Sequence, residues 1–484
     1  MAMKYIKLVI GTSLSLAIIL GSCKKNLLDT QPKTSISDQV AFSTPEKILA
    51  QVNNLYSKMQ NAGFYGGRQI LFNEQRGEEF SQNDPNSSVG ASVWGQNALS
   101  NDNLLNNVWT RAYAAINASN ILISELTNST VVSTALRDQY IGEAKFVRAF
   151  CYFSLVQTFA QPFAKDNGAS AGLPLRLKAE TSAGDNDLAR SKVAEVYAQI
   201  IKDLNEAETG LPESLGTNAL NSSRAHKASA IALKTRVYLT KGDYENTLSE
   251  AKKIVPDASP YQYVSGTLIH KLETNVSVVY TGSYVGPESV FSIPFNNVDA
   301  PDVQSALAAS YLGAVVIALN PAGIVSNAAL SGAASTDGRK GLIATKSNQK
   351  VLAKFPKISV PYTDYIPVIR YAEVLLNYAE AAAESNALVK ATALLNAVRK
   401  RADPTYVFTP ADITGKAALI NTILTERRIE LLGEGFRTLD LQRRLQTLPS
   451  KTGAAGMAPA VAPTANNYIW PLPSDEISTN KLIQ

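Results

Sequence analysis

The residues best equipped for chemistry crowd into one stretch. Ile423 to Arg444 reads I-L-T-E-R-R-I-E-L-L-G-E-G-F-R-T-L-D-L-Q-R-R, in which Glu426, Glu430 and Glu434 recur every four residues. Carboxylates at that spacing share a helical face and repel unless cations meet them. Arg427 lies inside the apolar stripe of Ile420, Ile423, Leu424 and Leu431, where a charge needs a partner. Two readings compete: a catalytic carboxylate cluster, or a structural polar network in which Arg427, Arg428, Arg437 or groups on other helices pair with Glu426, Glu430 and Glu434. The arginine within the stripe favours the network, so these residues are expected to fix how helices meet.

A second acidic group, Glu74, Glu78, Glu79 and Asp84, invites comparison with glycoside hydrolysis, which needs two carboxyls on opposite sides of a sugar. Carboxylates this close in sequence read instead as a solvated charge cluster, and no catalytic residue is assigned. His226 and His270 stand alone in sequence, without ligand-like neighbours. Cys151, in R-A-F-C-Y-F, reads as a small buried hydrophobe. No metal site, cofactor or Cys–His nucleophile is expected.

Of the 484 residues 45% are hydrophobic, enough for a large core, while the charged fraction of 18% lies below the roughly 25% usual in soluble domains. Tyrosines (20) outnumber phenylalanines (14). Such a charge-poor surface suits a neutral polar ligand better than nucleic acid. The formal charge of +5, which falls by two if Lys4 and Lys7 are removed, agrees.

These residues need elements to position them. Residues 1–22 carry Lys4 and Lys7, an apolar run from Leu8 to Leu20, and small residues ahead of Cys23, the order of a signal peptide. The run is too short to span a bilayer comfortably. Leu20-Gly21-Ser22-Cys23 resembles the lipobox of bacterial lipoproteins, which implies a lipidated Cys23 and a tether over residues 23–43. Thr44 as N-cap and Pro45 at the first helical position open a helix whose Ile48, Val52, Leu55, Tyr56 and Met59 share a face. Residues 60–105, rich in Gly, Asn, Ser and Asp, are expected to be a long irregular stretch.

Apolar spacing predicts helices over Trp109–Leu126 and Arg137–Phe159, the second central because it is apolar nearly all round, and another from Ser191 to Leu211-Pro212. Ala228–Ile254 is similar to a tetratricopeptide helix pair turned at Lys241-Gly242-Asp243-Tyr244, and Arg370–Ser385 with Leu388–Arg401 makes a second pair. Such pairs bury their faces only by stacking. Residues 257–362 change to loops, with short strands expected at Val276–Tyr280 and Ser289–Ile293 and a buried or helical Ala306–Ala318. Lys451–Asn466 reads as a loop rich in Ala and Pro. The fold class is therefore mainly α: a tetratricopeptide-like helical repeat scaffold with irregular loops and a few short strands. An N-terminal helical region covers 44–256 and a C-terminal region 257–484.

With Ile423–Arg444, two further segments, Thr363–Glu380 (T-D-Y-I-P-V-I-R-Y-A-E-V-L-L-N-Y-A-E) and Tyr468–Ile477 (Y-I-W-P-L-P-S-D-E-I), strongly resemble the SusD/RagB family of outer-membrane nutrient-binding lipoproteins. Asp337-Gly338-Arg339 resembles a short acidic-x-Arg element of that family and is read as structural. The resemblance implies capture of an oligosaccharide without catalysis, a lipid anchor at the cell outer membrane facing the exterior, and delivery to a SusC-like TonB-dependent transporter. Peptide nutrients and a helical-repeat scaffold role are the alternatives.

A sugar ring offers an apolar face and a rim of hydroxyls, so an aromatic plane beside amides and charged groups matches both. Trp94, in a polar loop with Asn83, Asp84, Asn86, Gln96 and Asn97, is the expected stacking platform. Phe64, Tyr65 and Arg68 are secondary candidates, with Tyr280, Tyr284 and Tyr311 weaker. Trp109 and Trp470 read as core.

Overall fold

The computed structural model describes residues 38–182, 184 and 186–483, so the expected signal peptide, Cys23 and most of the tether lie outside the described residues. Two contact units divide the chain, one ending at Gln51 and the other beginning at Val52. The boundary falls within the first long helix, α1 (Pro45–Gln60), which Thr44 and Pro45 open.

Within the second unit, the stretch expected to be irregular is not. Arg68–Arg76 forms α2, and all nine of its residues are buried. It runs on to β1 (Phe80–Gln82) and the single-turn α3 (Ala91–Trp94). The reason it escapes sequence reading is physical: R-Q-I-L-F-N-E-Q-R is polar on every side, because distant backbone rather than water satisfies it. Arg76 donates to the carbonyls of Asn467 (2.6 Å) and Tyr468 (3.2 Å), Glu74 accepts from the Gly435 amide at 2.6 Å, and Thr438 caps the Asn73 carbonyl.

The scaffold follows as α4 (Asn103–Leu126), α5 (Thr134–Phe159), α6 (Val193–Gly210), α7 (Lys227–Lys241) and α8 (Tyr244–Ile254). Asp102 and Ser133 cap the first two through N–H groups of their own first turns. Gly242, at φ +78°, makes the left-handed turn between α7 and α8 that a β-carbon would oppose. Each helix packs on the next in sequence. Along α5, Trp109 meets Phe159 edge-on at 5.0 Å, Phe159 meets Trp470 at 5.8 Å, and Trp470 tilts over Phe72 at 5.5 Å. Trp109 and Trp470 are thus core, each such ring contributing about 1.5–3 kcal/mol by burial.

Short strands then alternate with loops: β2 (Tyr263–Ser265), β3 (Leu268–His270), β4 (Ser289–Ile293), β5 (Ile317–Leu319), β6 (Ile343–Lys346), β7 (Gln349–Leu352) and β8 (Ile366–Arg370). Ser289–Ile293 is a strand as expected, but Val276–Tyr280 is not, since Val278–Thr281 closes a helical turn. The chain returns through α9 (Tyr371–Glu384), α10 (Leu388–Ala402), α11 (Lys416–Glu430) and α12 (Arg437–Arg443). A hairpin stands where a loop was expected, β9 (Lys451–Gly453) and β10 (Gly456–Ala458), and the helical turn Ser474–Thr479 follows it. The named strands pair antiparallel in twos, β1 with β5, β2 with β3, β4 with β8, β6 with β7 and β9 with β10. Helices α8, α9 and α11 continue the stack, so the architecture is a helical repeat scaffold with irregular loops and short strands.

Candidate ligand-binding cleft

The charged stretch of α11 and α12 lies in the interior, and its partners come from several other segments. Arg339 donates to Glu426 (2.6 Å), Glu430 (3.0 Å) and Asp337 (2.7 Å), while Arg399 reaches Asp337 (3.0 Å) and Glu426 (2.7 Å). Arg370 bridges Glu288 (2.5 Å), Glu430 (2.9 Å) and Glu434 (2.8 Å). Arg401 joins Glu288 to Glu430, and Lys354 holds Glu434 at 2.7 Å. Burial by itself would raise the Glu430 carboxyl, but Arg401, Arg370, Arg339 and Lys354 outweigh it and hold the group well below the usual range. Glu434 is likewise lowered, against its burial, by Arg370 and Lys354.

Arg427, the cation inside the apolar stripe, donates to Asp440 (3.2 Å) and Asn377 (2.7 Å). Arg428 and Arg437 pair instead with Glu78 and Glu79 at the end of α2. Those two carboxylates are therefore ion-paired, and the Glu79 Oε2 also accepts the Ile324 amide at 2.6 Å. Glu74 is different: burial pushes its carboxyl up to about 8 despite the Gly435 amide, and its second oxygen has no partner among the described residues. His226 and His270, isolated in sequence, meet with their Nε2 atoms 3.0 Å apart. Burial drives the two rings down to about 3 and about 4 respectively, and His270 adds to the effect on His226.

The aromatic candidates require correction. Trp94 is 1% exposed, its indole N–H donates to the Phe80 carbonyl at 3.0 Å, and Lys451 sits 5.4 Å from its ring. It cannot offer a face to a ligand. Phe64 is buried against Tyr65 at 4.9 Å, and Tyr65 meets Phe150 at 4.5 Å. Arg68 is buried and directed to Ser305 (3.2 Å) and Gln304 (3.3 Å). Asn83 exchanges amide hydrogen bonds with Gln349, and Asp84 accepts the Asn86 amide, so both shape the loop that follows β1. Tyr280 and Tyr311 are also buried.

Asn86 and Asn97 are exposed, and Asn97 borders a cleft of about 660 Å³ between residues 85–104 and the β9–β10 hairpin. Ser87, Ser92, Asn101 and Asn103 line it with hydroxyls and amides, with buried Trp94 behind. Leu99 and Met457 face it, 66% and 73% exposed. The hairpin is fixed there by β1: Ser81 donates to the Thr452 carbonyl (2.9 Å) and the Ala455 amide to the Gln82 carbonyl (3.0 Å). At Gly453 a β-carbon would lie 2.7 Å from the Gln82 carbonyl oxygen and 3.3 Å from Trp94, so only glycine allows this approach. Lys451 anchors the other strand end on the carbonyls of Gln75 and Gly77. Leu99 and Met457 were not candidates in sequence. An isolated leucine in N-A-L-S-N-D was a usable signal, whereas Met457 is brought to it only by the fold.

A larger groove, about 1190 Å³, runs between α4, α5 and α6. Ile123, Leu136, Ile141 and Leu211 give it an apolar lining better suited to protein than to a hydroxylated ligand.

Two family models match the chain. One, described as starch-binding and associating with the outer membrane, covers residues 26–239, and the other, the SusD family, covers residues 358–484. A SusD-like protein of Formosa agariphila is 25% identical, over 94% of this chain and 93% of its own length. The crystal structure of a SusD superfamily protein from Bacteroides fragilis superposes with a TM-score of 0.82 at 29% identity, covering 92% of this chain and all of that one. A laminarin-binding SusD-like protein shares the fold, with a TM-score of 0.69 at 20% identity over 91% of this chain and 99% of its own.

Proposed function

Because the chain belongs to the SusD/RagB family, we propose that it is a lipid-anchored binding protein of the cell surface. It captures an oligosaccharide in the cleft between residues 85–104 and the β9–β10 hairpin, and delivers it to a SusC-like TonB-dependent transporter. Family members are binding proteins rather than enzymes. The observation that carries the reading is the lining of that cleft, where hydroxyls and amides converge beside two exposed aliphatic side chains. Sugars need this mixture of hydrogen-bonding groups and apolar contact. The starch-binding description of the matched family and the laminarin-binding relative support a glycan as the ligand class. Among the described residues no helix is long and apolar enough to cross a membrane, so the proposed attachment rests on Cys23.

The test is calorimetric titration of the mature chain, begun after Cys23, against a panel of neutral oligosaccharides. Binding that Asn101→Ala weakens by about tenfold supports the site, the scale of one lost hydrogen-bonding group with its desolvated partner. A folded protein that binds peptides and no glycan would overturn the ligand class.

A further inference from the structure

The charges around the cleft point to a more specific ligand, given the reading above. Among the described residues that line it there is no lysine or arginine, and Asp102 is the one acid. Both Asp102 oxygens are already engaged, one by the Ser92 hydroxyl at 2.5 Å and one by the Leu104 amide at 2.9 Å. Asp102 also occupies the positive end of the 24-residue helix α4, the place where an anionic ligand would otherwise find free N–H groups. Two cations lie near the cleft wall, Lys451 against the Trp94 ring and Arg76 bonded to Gln96. Their hydrogens go to the carbonyls of Asn467, Tyr468, Gln75 and Gly77 and the side chain of Gln96, so neither reaches into the cleft.

We infer that this cleft selects uncharged oligosaccharides and rejects uronate- or sulfate-bearing ones. Its apolar grip comes from Leu99 and Met457, which take the part an aromatic plane would otherwise play. A ligand carboxylate or sulfate would approach the fixed Asp102 charge with no cation to receive it. A plain hydroxyl finds the serine and asparagine side chains instead. Two flexible aliphatic chains mould to the C–H face of a sugar without imposing the flat geometry of a ring stack.

The experiment uses one backbone in two charge states. Laminarin oligosaccharides and their carboxymethylated derivatives are titrated into the mature chain, with a neutral and an acidic oligosaccharide series of other linkages run beside them. The neutral form of a bound glycan should bind about tenfold more tightly than its charged form, the size of a like-charge contact near a protein surface. Asp102→Asn keeps a good helix cap and removes the charge. It should bring the affinity for the charged form several-fold closer to that for the neutral one. Met457→Ala and Leu99→Ala should weaken the neutral glycan. An acidic glycan that binds as tightly as its neutral counterpart, or a charge discrimination unaltered by Asp102→Asn, overturns the inference while leaving glycan capture intact. Absence of binding to every glycan, with the protein folded, overturns capture itself and the inference with it.

Discussion

Around Glu430, five acids (Glu288, Asp337, Glu426, Glu430, Glu434) meet five bases (Arg339, Lys354, Arg370, Arg399, Arg401) almost out of contact with water. Among the described residues, the lining of the cleft beside Leu99 has one acid and no base. The interior therefore carries the charge and the proposed binding surface is nearly neutral, the reverse of the usual distribution in soluble proteins. In the interior, charges are neutralised in place, hold helices from distant parts of the chain in register, and have no capacity left for a ligand. At the cleft, polar groups remain open to solvent and contribute little to the fold. Stability and recognition should then respond to different substitutions.

The widest separation is expected from Arg370→Met. It strands Glu430, Glu434 and Glu288 without their shared cation, and the fold should lose about 3–5 kcal/mol in chemical denaturation. Retention of wild-type stability would mean that the network is incidental to the fold. Acid should act on the same region. Glu430, Glu434, Glu380 and Asp337 are all held below their ordinary values, of 4.5 for glutamate and 3.8 for aspartate. Their contribution is therefore complete above those values and is lost as pH falls through the lower, folded ones. Urea midpoints measured from pH 7 down to pH 3 should fall steeply below about 4.5, the ordinary glutamate value.

Gly453→Ala joins the two regions, since its β-carbon meets β1 and Trp94. A loss of about 1–3 kcal/mol, with weaker glycan binding, is expected from thermal melting and titration together. Glu74→Gln reverses the sign. The carboxyl is neutral in the fold up to about 8 against an ordinary 4.5, so its stabilising preference is full below 4.5 and disappears as pH rises to 8. The substitution should raise the melting temperature at pH 9 and change little at pH 4. Met457→Ala should be the mildest for the fold, within about 0.5 kcal/mol, while still lowering glycan affinity. If it destabilised as much as Gly453→Ala, the hairpin tip would be structural rather than a contact surface.

How legible each region was in the sequence follows from the same contrast. Arg427 within an apolar stripe announced that a partner must exist, and the helices around it keep a 3.6-residue period. Helix α2 announced nothing, because Arg68, Gln69, Asn73, Glu74, Gln75 and Arg76 look like loop residues until their partners are known. Trp94 was misread for a related cause. Its polar neighbours suggested solvent, but Gln96 is itself buried, bonded to Arg76. Polarity in sequence reports a need for hydrogen bonds and is silent on whether water or protein meets it. Asn97 keeps its place as a candidate because it is exposed as well as polar and borders the cleft. Met457 carries no local sign of its place, since it comes to the cleft from a different end of the chain.

Helix α2 also bears on the order in which the molecule can be assembled. Glu74 finds its amide at Gly435, 361 residues later, and the chain that satisfies Arg76 and Gln75 comes later still, at Lys451, Asn467 and Tyr468. A chain emerging from its N-terminus can stack the neighbouring helices α4 to α8 as they appear, because their contacts are local. Its centre must wait. Until the last segments arrive, Glu74 and Arg76 of α2 lack their backbone partners, so completion of the core coincides with completion of the chain. A molecule truncated before Lys451 would keep much of its helical scaffold and lack a finished interior.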